Sequence, residues 1–250
     1  MSDLAIIGGT GLTTLNSLNI ARREVRRTPY GEPSGPFVHG DFCGTEVMFL
    51  ARHGSGHTIP PHRVNYQANL WALRDMGVRR VIAVAAVGGI RADMEPGCIA
   101  FPDQIIDYTY GRAHTFFEDD LNHVTHIDFT QPYCEELRGQ LIQASRELAL
   151  EALEDGTYGA TQGPRLETAA EINRMERDGC DLVGMTGMPE AALARELGLC
   201  YCSCSVVANW AAGRGVGPIS LDEIDANLKS GMAKVRALLE HAIPGVCSGS

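Results

Sequence analysis

Short runs of β-branched and other apolar residues alternate along this chain with longer segments of helical periodicity. This alternation is typical of an α/β fold, in which helices cover a central sheet. The segments predicted as strands are residues 4–7, 47–51, 81–87, 105–109, 158–161, 182–184 and 201–207. The segments predicted as helices are residues 64–75, one from about Pro132, 167–177, 189–198 and one that follows the capping box at 220–223. We therefore predict one α/β domain over residues 1–250, with a central mixed β-sheet flanked by helices.

Composition and charge exclude several classes of protein. The chain has 250 residues, 44% hydrophobic and 21% charged, so it can bury a large core. Its net charge of −10 repels nucleic acids and anionic membranes, and we expect neither as a partner. The longest apolar run, residues 81–90, is about half as long as a membrane span, and no signal-peptide pattern follows Met1, so we expect a cytoplasmic protein. Eight cysteines are too few for a disulfide scaffold, and we interpret them as free thiols.

A glycine-rich turn, residues 8–12, follows the first predicted strand and contains Thr10. Glycines let backbone N–H groups crowd around an anion, and the Thr10 hydroxyl adds a side-chain donor. The spacing does not match the G-x-G-x-x-G pattern of dinucleotide-binding folds, which disfavours a dinucleotide-dependent reductase. A tight turn without a ligand is the alternative interpretation of this motif.

Two further strand ends offer donors for an anion. Arg52 and His53 follow the second predicted strand and combine a guanidinium fork with a titratable ring, which suits phosphate. Taken alone, the pair is better explained as a solvated surface pair. The third predicted strand ends in Gly88 and Gly89, where backbone amides are again accessible. Because ligands of open α/β sheets bind outside the carboxyl ends of strands, the three ends together predict one oxyanion site.

Several longer motifs carry a resemblance to a known family. They are GGTGL at 8–12, LARHG at 50–54, PPHRVNYQANLWAL at 60–73, TQGPRLET at 161–168 and GMTGMPEA at 184–191. In this order the chain resembles the trimeric branch of the purine nucleoside phosphorylase and methylthioadenosine phosphorylase family over nearly its whole length. Within that family it is most similar to the bacterial methylthioinosine phosphorylases.

The resemblance implies phosphorolysis, in which inorganic phosphate displaces a purine from C1′ of a nucleoside. It implies phosphate as a co-substrate, no organic cofactor, no metal, and a homotrimer with a site at the subunit interface. The residues that match the family's phosphate site are Thr10, Arg52, His53, the amide of Ala86, and Thr186. The matching nucleoside positions are Met185 at the sugar, Leu166, Glu167 and Asn209 at the base, and Ile219 and a neighbouring subunit's His126 at the 5′ substituent. Asn209, His53 and Glu167 are the predicted catalytic residues.

The base-binding residues predict which purine is bound. The Asn209 amide can donate to N7 or O6, and the Glu167 carboxylate can accept from N1–H, which together match a 6-oxopurine. The family commonly has an aromatic residue where Leu166 stands, so an aliphatic side chain packs against the base here. We therefore predict a 5′-methylthioinosine phosphorylase of purine and methylthionucleoside salvage, with 5′-methylthioadenosine or inosine and guanosine as alternative substrates.

Two other interpretations fit the sequence less well. A nucleoside-binding protein that has lost catalysis is possible on the same fold, although the anion-site residues and Asn209 are retained. A metal site formed by His123, His126 and Asp128 is disfavoured, because one short segment supplies no complete ligand set. The alternating Cys200, Cys202 and Cys204 share one face of a predicted strand, where they are expected to fill the core.

Overall fold

The computed structural model of the chain describes residues 2–12, 15, 17–118 and 123–248. Within them, the strands are β1 Leu4–Gly8, β2 Leu18–Glu24, β3 Phe37–Phe42, β4 Thr45–Ala51, β5 Arg80–Gly89, β6 Ile99–Ala100, β7 Gln104–Asp107, β8 Ala152–Leu153, β9 Thr157–Ala160, β10 Leu182–Gly184 and β11 Cys200–Trp210. The helices are α1 Tyr66–Asp75, α2 Glu135–Glu147, α3 Ala169–Arg177, α4 Gly187–Glu196 and α5 Leu221–Ser248.

The strands form one mixed sheet with a parallel centre. Strand β1 pairs in parallel with β4 and β5, and β5 pairs in parallel with β11. On one side β2 and β3 extend the sheet in antiparallel fashion beyond β4, and on the other β10, β9 and β7 follow β5. The carboxyl ends of β4, β1, β5 and β11 therefore lie along the same edge, as the anion-site prediction requires.

Helices cover both faces of the sheet. Helices α2 and α5 pack on one face through side chains such as Leu141 and Met232, and α1 and α4 pack on the other through Leu70 and Leu193. All four side chains are almost completely buried. Burying a side chain of this kind stabilises the fold by about 1.5–3 kcal/mol, so the two clusters hold the sheet edge in place. The predicted mixed sheet flanked by helices is confirmed.

The seven predicted strands are present, but four others were missed. Strand β2 is mostly exposed and polar, so it lacks the apolar alternation by which strands are predicted. It pairs with β3, which joins it to β4. Strands β6 and β8 have two residues each, too short for a periodic signal. These segments are strands because their backbones pair with neighbouring strands, and their local sequence patterns do not indicate it.

The interpretation of all eight cysteines as thiols was wrong. Cys134 and Cys200 form a disulfide across a sequence separation of 66 residues. Cys134 precedes α2, and its backbone N–H donates to the carbonyl of Tyr201, so the start of α2 lies beside the start of β11. The expectation for Cys202 and Cys204 fits, because both are buried in the core.

The first helix begins at Tyr66, two residues later than predicted. Its buried side chains include Tyr66, Ala68 and Leu70, whereas Trp71 is half-exposed and packs beside Tyr30 with ring centroids 6.4 Å apart.

In the part of the chain that the structure describes, no helix combines the length and apolar character needed to cross a membrane.

Candidate active site

A cavity of about 670 Å³ opens at the shared edge of the parallel strands. It is lined by ten of the eleven residues singled out from the sequence, which come from widely separated segments: Thr10, Arg52, His53, Ala86, Leu166, Glu167, Met185, Thr186, Asn209 and Ile219. The volume lies in the range of small-molecule sites, and the walls are mostly apolar with a few polar groups. The strand ends thus converge on one site, as the pattern of glycines and polar residues indicated.

Arg52 forms a buried ion pair at this cavity. Its Nε and Nη2 donate to the two carboxylate oxygens of Glu190 at 2.7 and 2.8 Å, and its Nη1 donates to the carbonyl of Val84 at 2.9 Å. Both charged side chains are 1% exposed. Burial by itself lowers the pKa of Arg52, but the Glu190 carboxylate more than offsets this and raises it. Three of the five guanidinium N–H groups are thereby engaged, which leaves two for a ligand.

Glu190 is also held from a second direction, and the sequence analysis missed it. The hydroxyl of Tyr201 on β11 donates to Oε1 of Glu190 at 2.9 Å. Burial raises the pKa of Tyr201 well above its ordinary value, and the Glu190 charge adds to the effect, so this hydroxyl remains a donor. The carboxylate therefore fixes the Arg52 guanidinium in one orientation.

The glycine turn after β1 allows Arg52 to lie this close. A side chain on Gly9 would place its Cβ 2.6 Å from the Val84 carbonyl oxygen and 2.8 Å from Nη1 of Arg52. Neither group can move easily, because they are hydrogen-bonded to each other. The close approach of the turn, β5 and the guanidinium thus requires glycine at this position.

His53 is neutral at ordinary pH. Burial, and after it the nearby charge of Arg52, lower its pKa to about 4. Its Nδ1 lies 2.8 Å from the carbonyl oxygen of Ile59, which can only accept, so Nδ1 carries the proton. The other ring nitrogen, Nε2, is then an acceptor.

Thr186 precedes α4 and is 8% exposed. Its backbone N–H donates to the hydroxyl of Tyr158 at 3.4 Å, which ties the turn to β9. Burial raises the pKa of this tyrosine, so its hydroxyl stays neutral.

Glu167 and Asn209 occupy the same cavity on different segments. Oε1 of Glu167 accepts a hydrogen bond of 2.7 Å from the hydroxyl of Thr161, at the end of β9. The Asn209 amide donates to the carbonyl of Trp210 at 2.7 Å, which leaves its second N–H and its oxygen for other partners. Leu166 beside them is 44% exposed, so its apolar surface is available to pack against a ligand.

One wall of the cavity is apolar. It comes from the first turns of α5 and from a residue two positions ahead of the helix, and consists of Ile219, Leu221, Ile224 and Leu228. Leu221 is three-quarters exposed although it is a large apolar residue. The capping contact predicted for α5 is present, because the backbone N–H of Glu223 donates to the Ser220 hydroxyl at 3.4 Å.

His126 does not line this cavity. It lies on the surface, in the described part of the irregular segment 111–130. Its predicted place beside a neighbouring subunit's 5′ substituent stays a prediction. Within the described residues no group of three His, Cys, Asp or Glu side chains is arranged to hold a metal, and this includes His123 and Asp128.

The comparisons with known proteins agree with this geometry. A model of the Phosphorylase superfamily matches residues 3–244. A "Probable S-methyl-5'-thioinosine phosphorylase" of Pseudomonas syringae pv. tomato is 55% identical over 97% of this chain and 99% of its own length. The "6-oxopurine nucleoside phosphorylase" of Pyrococcus furiosus is 45% identical over 98% of this chain and 93% of its own.

A solved structure has the same fold. The methylthioadenosine phosphorylase from Schistosoma mansoni in complex with adenine superimposes with a TM-score of 0.95 and 31% identity, covering 100% of this chain and 93% of that one. The resemblance inferred from the motifs is confirmed, and the chain belongs to the Phosphorylase superfamily.

Proposed function

We propose that this chain catalyses phosphorolysis of 5′-methylthioinosine to hypoxanthine and 5-methylthioribose 1-phosphate. The observation that carries the proposal is the Glu167 carboxylate, fixed by the Thr161 hydroxyl in the same cavity as Asn209. The names of relatives that are 45–55% identical support a 6-oxopurine or methylthioinosine substrate.

The base is selected by complementary hydrogen bonds. Glu167, whose orientation is set by one hydrogen bond, accepts from N1–H of a 6-oxopurine. A 6-aminopurine has a lone pair at N1, which would face the carboxylate without a proton between them. Asn209 donates to N7 or O6, where negative charge grows as the base departs. A mismatched polar edge in a buried site is strongly rejected, so this pair is expected to dominate specificity.

Phosphate is held at the other end of the cavity. Arg52 contributes the two N–H groups that Glu190 and Val84 leave free, while Thr10, Thr186 and the backbone N–H of Ala86 act as further donors. His53 has its proton on Nδ1, so its Nε2 can accept a hydrogen bond from the hydroxyl of hydrogen phosphate. These groups hold the nucleophile against the sugar, whose face packs on Met185.

The reaction then proceeds by displacement. A phosphate oxygen forms a bond to C1′ while the bond from C1′ to N9 breaks, and its electron pair remains on the purine. Asn209 stabilises that charge. The purine takes up a proton from water as it leaves, and the hydrogen phosphate gives up its own proton to water on becoming the sugar phosphate dianion, so the protons balance. Phosphate is the nucleophile and the protein groups supply positioning and charge stabilisation, so we propose that neither a metal nor an organic cofactor takes part.

The 5′ end of the substrate lies against the apolar wall around Ile219. A methylthio group is stabilised when it is buried against such a wall, whereas a hydroxyl placed there loses its hydrogen bonds to water. We further propose a homotrimer in which His126 of a neighbouring subunit completes this end, and a cytoplasmic role in purine and methylthionucleoside salvage.

The experiment tests base specificity by replacing the amide of Asn209 with a carboxyl group. The Asn209→Asp variant is assayed with inorganic phosphate on 5′-methylthioinosine and 5′-methylthioadenosine, following release of the free base by absorbance. kcat/KM for the 6-amino substrate is expected to rise relative to that for the 6-oxo substrate, because aspartate lacks the amide N–H that donates to O6 and offers an oxygen that can accept from the 6-amino group. Asn19→Asp on the exposed strand β2 is the control and should leave the ratio unchanged.

Other outcomes assign the alternative functions. A preference of the unmodified protein for 5′-methylthioadenosine would favour the activity named in the Schistosoma mansoni structures. A preference for inosine or guanosine would favour a general 6-oxopurine phosphorylase. Nucleoside binding without any phosphate-dependent release of base would indicate a binding protein that has lost catalysis.

A further inference from the structure

Arg112 is a buried arginine outside the residues that the sequence singled out. It lies in the irregular segment after β7 and is 9% exposed. Its Nη1 donates to the carbonyls of Met185 and Met188 at 2.9 and 2.6 Å. Its Nη2 donates to the carbonyls of Thr161 and Gln162 at 3.2 and 2.8 Å, and its Nε donates to the Gln162 side-chain oxygen at 3.1 Å. One guanidinium therefore satisfies these five acceptors, and its Nη1 also donates to the Tyr66 hydroxyl at 3.5 Å.

These acceptors belong to two turns of the candidate site. The first, residues 161–168, follows β9 and carries Leu166 and Glu167. The second, residues 184–188, joins β10 to α4 and carries Met185 and Thr186. The turns also touch directly, because the backbone N–H of Thr161 donates to the carbonyl of Gly184 at 2.8 Å. Arg112 thus connects the turn at the proposed base end of the site to the turn at the proposed sugar and phosphate end.

The partners of Arg112 are all neutral. Besides the two turns, its guanidinium lies 5.6 Å from the ring centroid of Tyr66. Among the residues that the structure describes it forms no ion pair, in contrast to Arg52 with Glu190. A buried cation is costly unless it is fully hydrogen-bonded, and here backbone carbonyls do this without bringing an acidic group next to an anion site.

We propose that Arg112 is a positioning residue that couples the base-binding turn to the phosphate-binding turn. The proposal rests on the proposed function for the identity of the substrates, but its geometry does not. Only the planar fork of arginine spans acceptors on both turns at once, since lysine offers a single ammonium centre. Loss of the fork lets the two turns move relative to each other. Displacements of about 1 Å in such positioning groups lower rates by about 100-fold.

The test compares Arg112→Lys with Arg138→Lys. Arg138 is a control of the same residue type. It is also largely buried and donates to backbone carbonyls, those of Phe101 and Glu154, besides its ion pair with Glu135, but none of these partners lines the cavity. The first readout is hydrogen exchange, which needs no substrate. Arg112→Lys should speed exchange in residues 161–168 and 184–188 together, and Arg138→Lys should leave both turns unchanged. Unchanged exchange in either turn of Arg112→Lys would overturn the proposal.

The second readout is kinetic. With 5′-methylthioinosine and phosphate, Arg112→Lys should lower kcat/KM by about 10- to 100-fold and raise the KM for both substrates. Arg138→Lys should keep both KM values even if it lowers the melting temperature. If Arg112→Lys lowers the melting temperature but leaves both KM values unchanged, Arg112 has only a structural role. That result would refute the coupling of the two turns.

A milder variant keeps the test decisive if Arg112→Lys does not fold. Gln162→Leu removes the acceptor of Nε, an oxygen that also accepts from the backbone N–H of Tyr110 at 3.3 Å, and leaves the arginine and its four carbonyl contacts in place. It should show smaller changes of the same kind in hydrogen exchange and in both KM values. Exchange and KM values equal to those of the unmodified protein would contradict the proposal. If the unmodified protein released no base from any nucleoside, the proposed function would fail, while hydrogen exchange would still decide the role of Arg112.

Discussion

Removing Arg52 should affect stability and phosphate use through different contacts. In Arg52→Met the carboxylate of Glu190 stays buried and loses both hydrogen bonds from the guanidinium, keeping only that from Tyr201. Breaking one partner of such a buried pair costs about 3–5 kcal/mol. For a domain of this size, the loss corresponds to a fall of about 6–20 °C in melting temperature. Phosphate-dependent turnover should fall by about 30- to 1000-fold, because a charged donor is lost from the transition state.

A second substitution separates the two effects. In Arg52→Met with Glu190→Gln the orphaned charge is gone, and the new amide can still accept from Tyr201. We expect this double variant to regain at least half of the lost stability, whereas turnover stays as low as in Arg52→Met. Thermal unfolding of the unmodified protein, the two single variants and the double variant forms a double-mutant cycle, which gives the coupling energy between Arg52 and Glu190. Steady-state kinetics with varied phosphate gives the turnover of each protein. If the two single losses simply add in the double variant, the buried pair is not coupled and the reasoning is wrong.

Three further predictions concern pH, specificity and the disulfide. The folded pKa of His53, about 4, lies below the ordinary value of 6.5. The unfolded chain therefore binds more protons between these values, so stability should fall as the pH drops through this window, and less so in His53→Asn. Thr161→Val should lower kcat/KM for the 6-oxo substrate by about 10- to 150-fold, because Glu167 loses a hydrogen bond to its charge. Cys134→Ser should lower the unfolding free energy by about 2–4 kcal/mol in thermal unfolding, with kcat/KM unchanged at room temperature, because neither it nor Cys200 lines the cavity.

The convergence of the strand ends was predictable from local patterns. Buried parallel strands have strong apolar runs, and each ends in a glycine turn or a polar side chain that the sequence shows directly. Because carboxyl ends of neighbouring parallel strands meet at one edge, Thr10, Arg52 and Gly88 were expected together, and they line one cavity. The resemblance in the motifs added Leu166, Thr186 and the other positions around it.

The supports of these residues were not predictable from the sequence alone. Glu190 lies 138 residues from Arg52 along the chain, and no local pattern marks it as the partner. Arg112 is surrounded by turn-forming residues, so it resembles a solvated loop cation until its five acceptors are seen. The Cys134–Cys200 disulfide likewise depends on the packing of α2 against β11. The place of His126 depends on a neighbouring subunit and remains a prediction.

The most direct test of the proposed function is a comparison of two nucleosides that differ at one position of the base. kcat/KM is measured on the unmodified protein with saturating phosphate, for 5′-methylthioinosine and for 5′-methylthioadenosine. Because Glu167 and Asn209 match the 6-oxo edge, we expect 5′-methylthioinosine to be preferred by about 100-fold or more. Equal values, or a preference for 5′-methylthioadenosine, would contradict the assignment of this pair as the reader of the base.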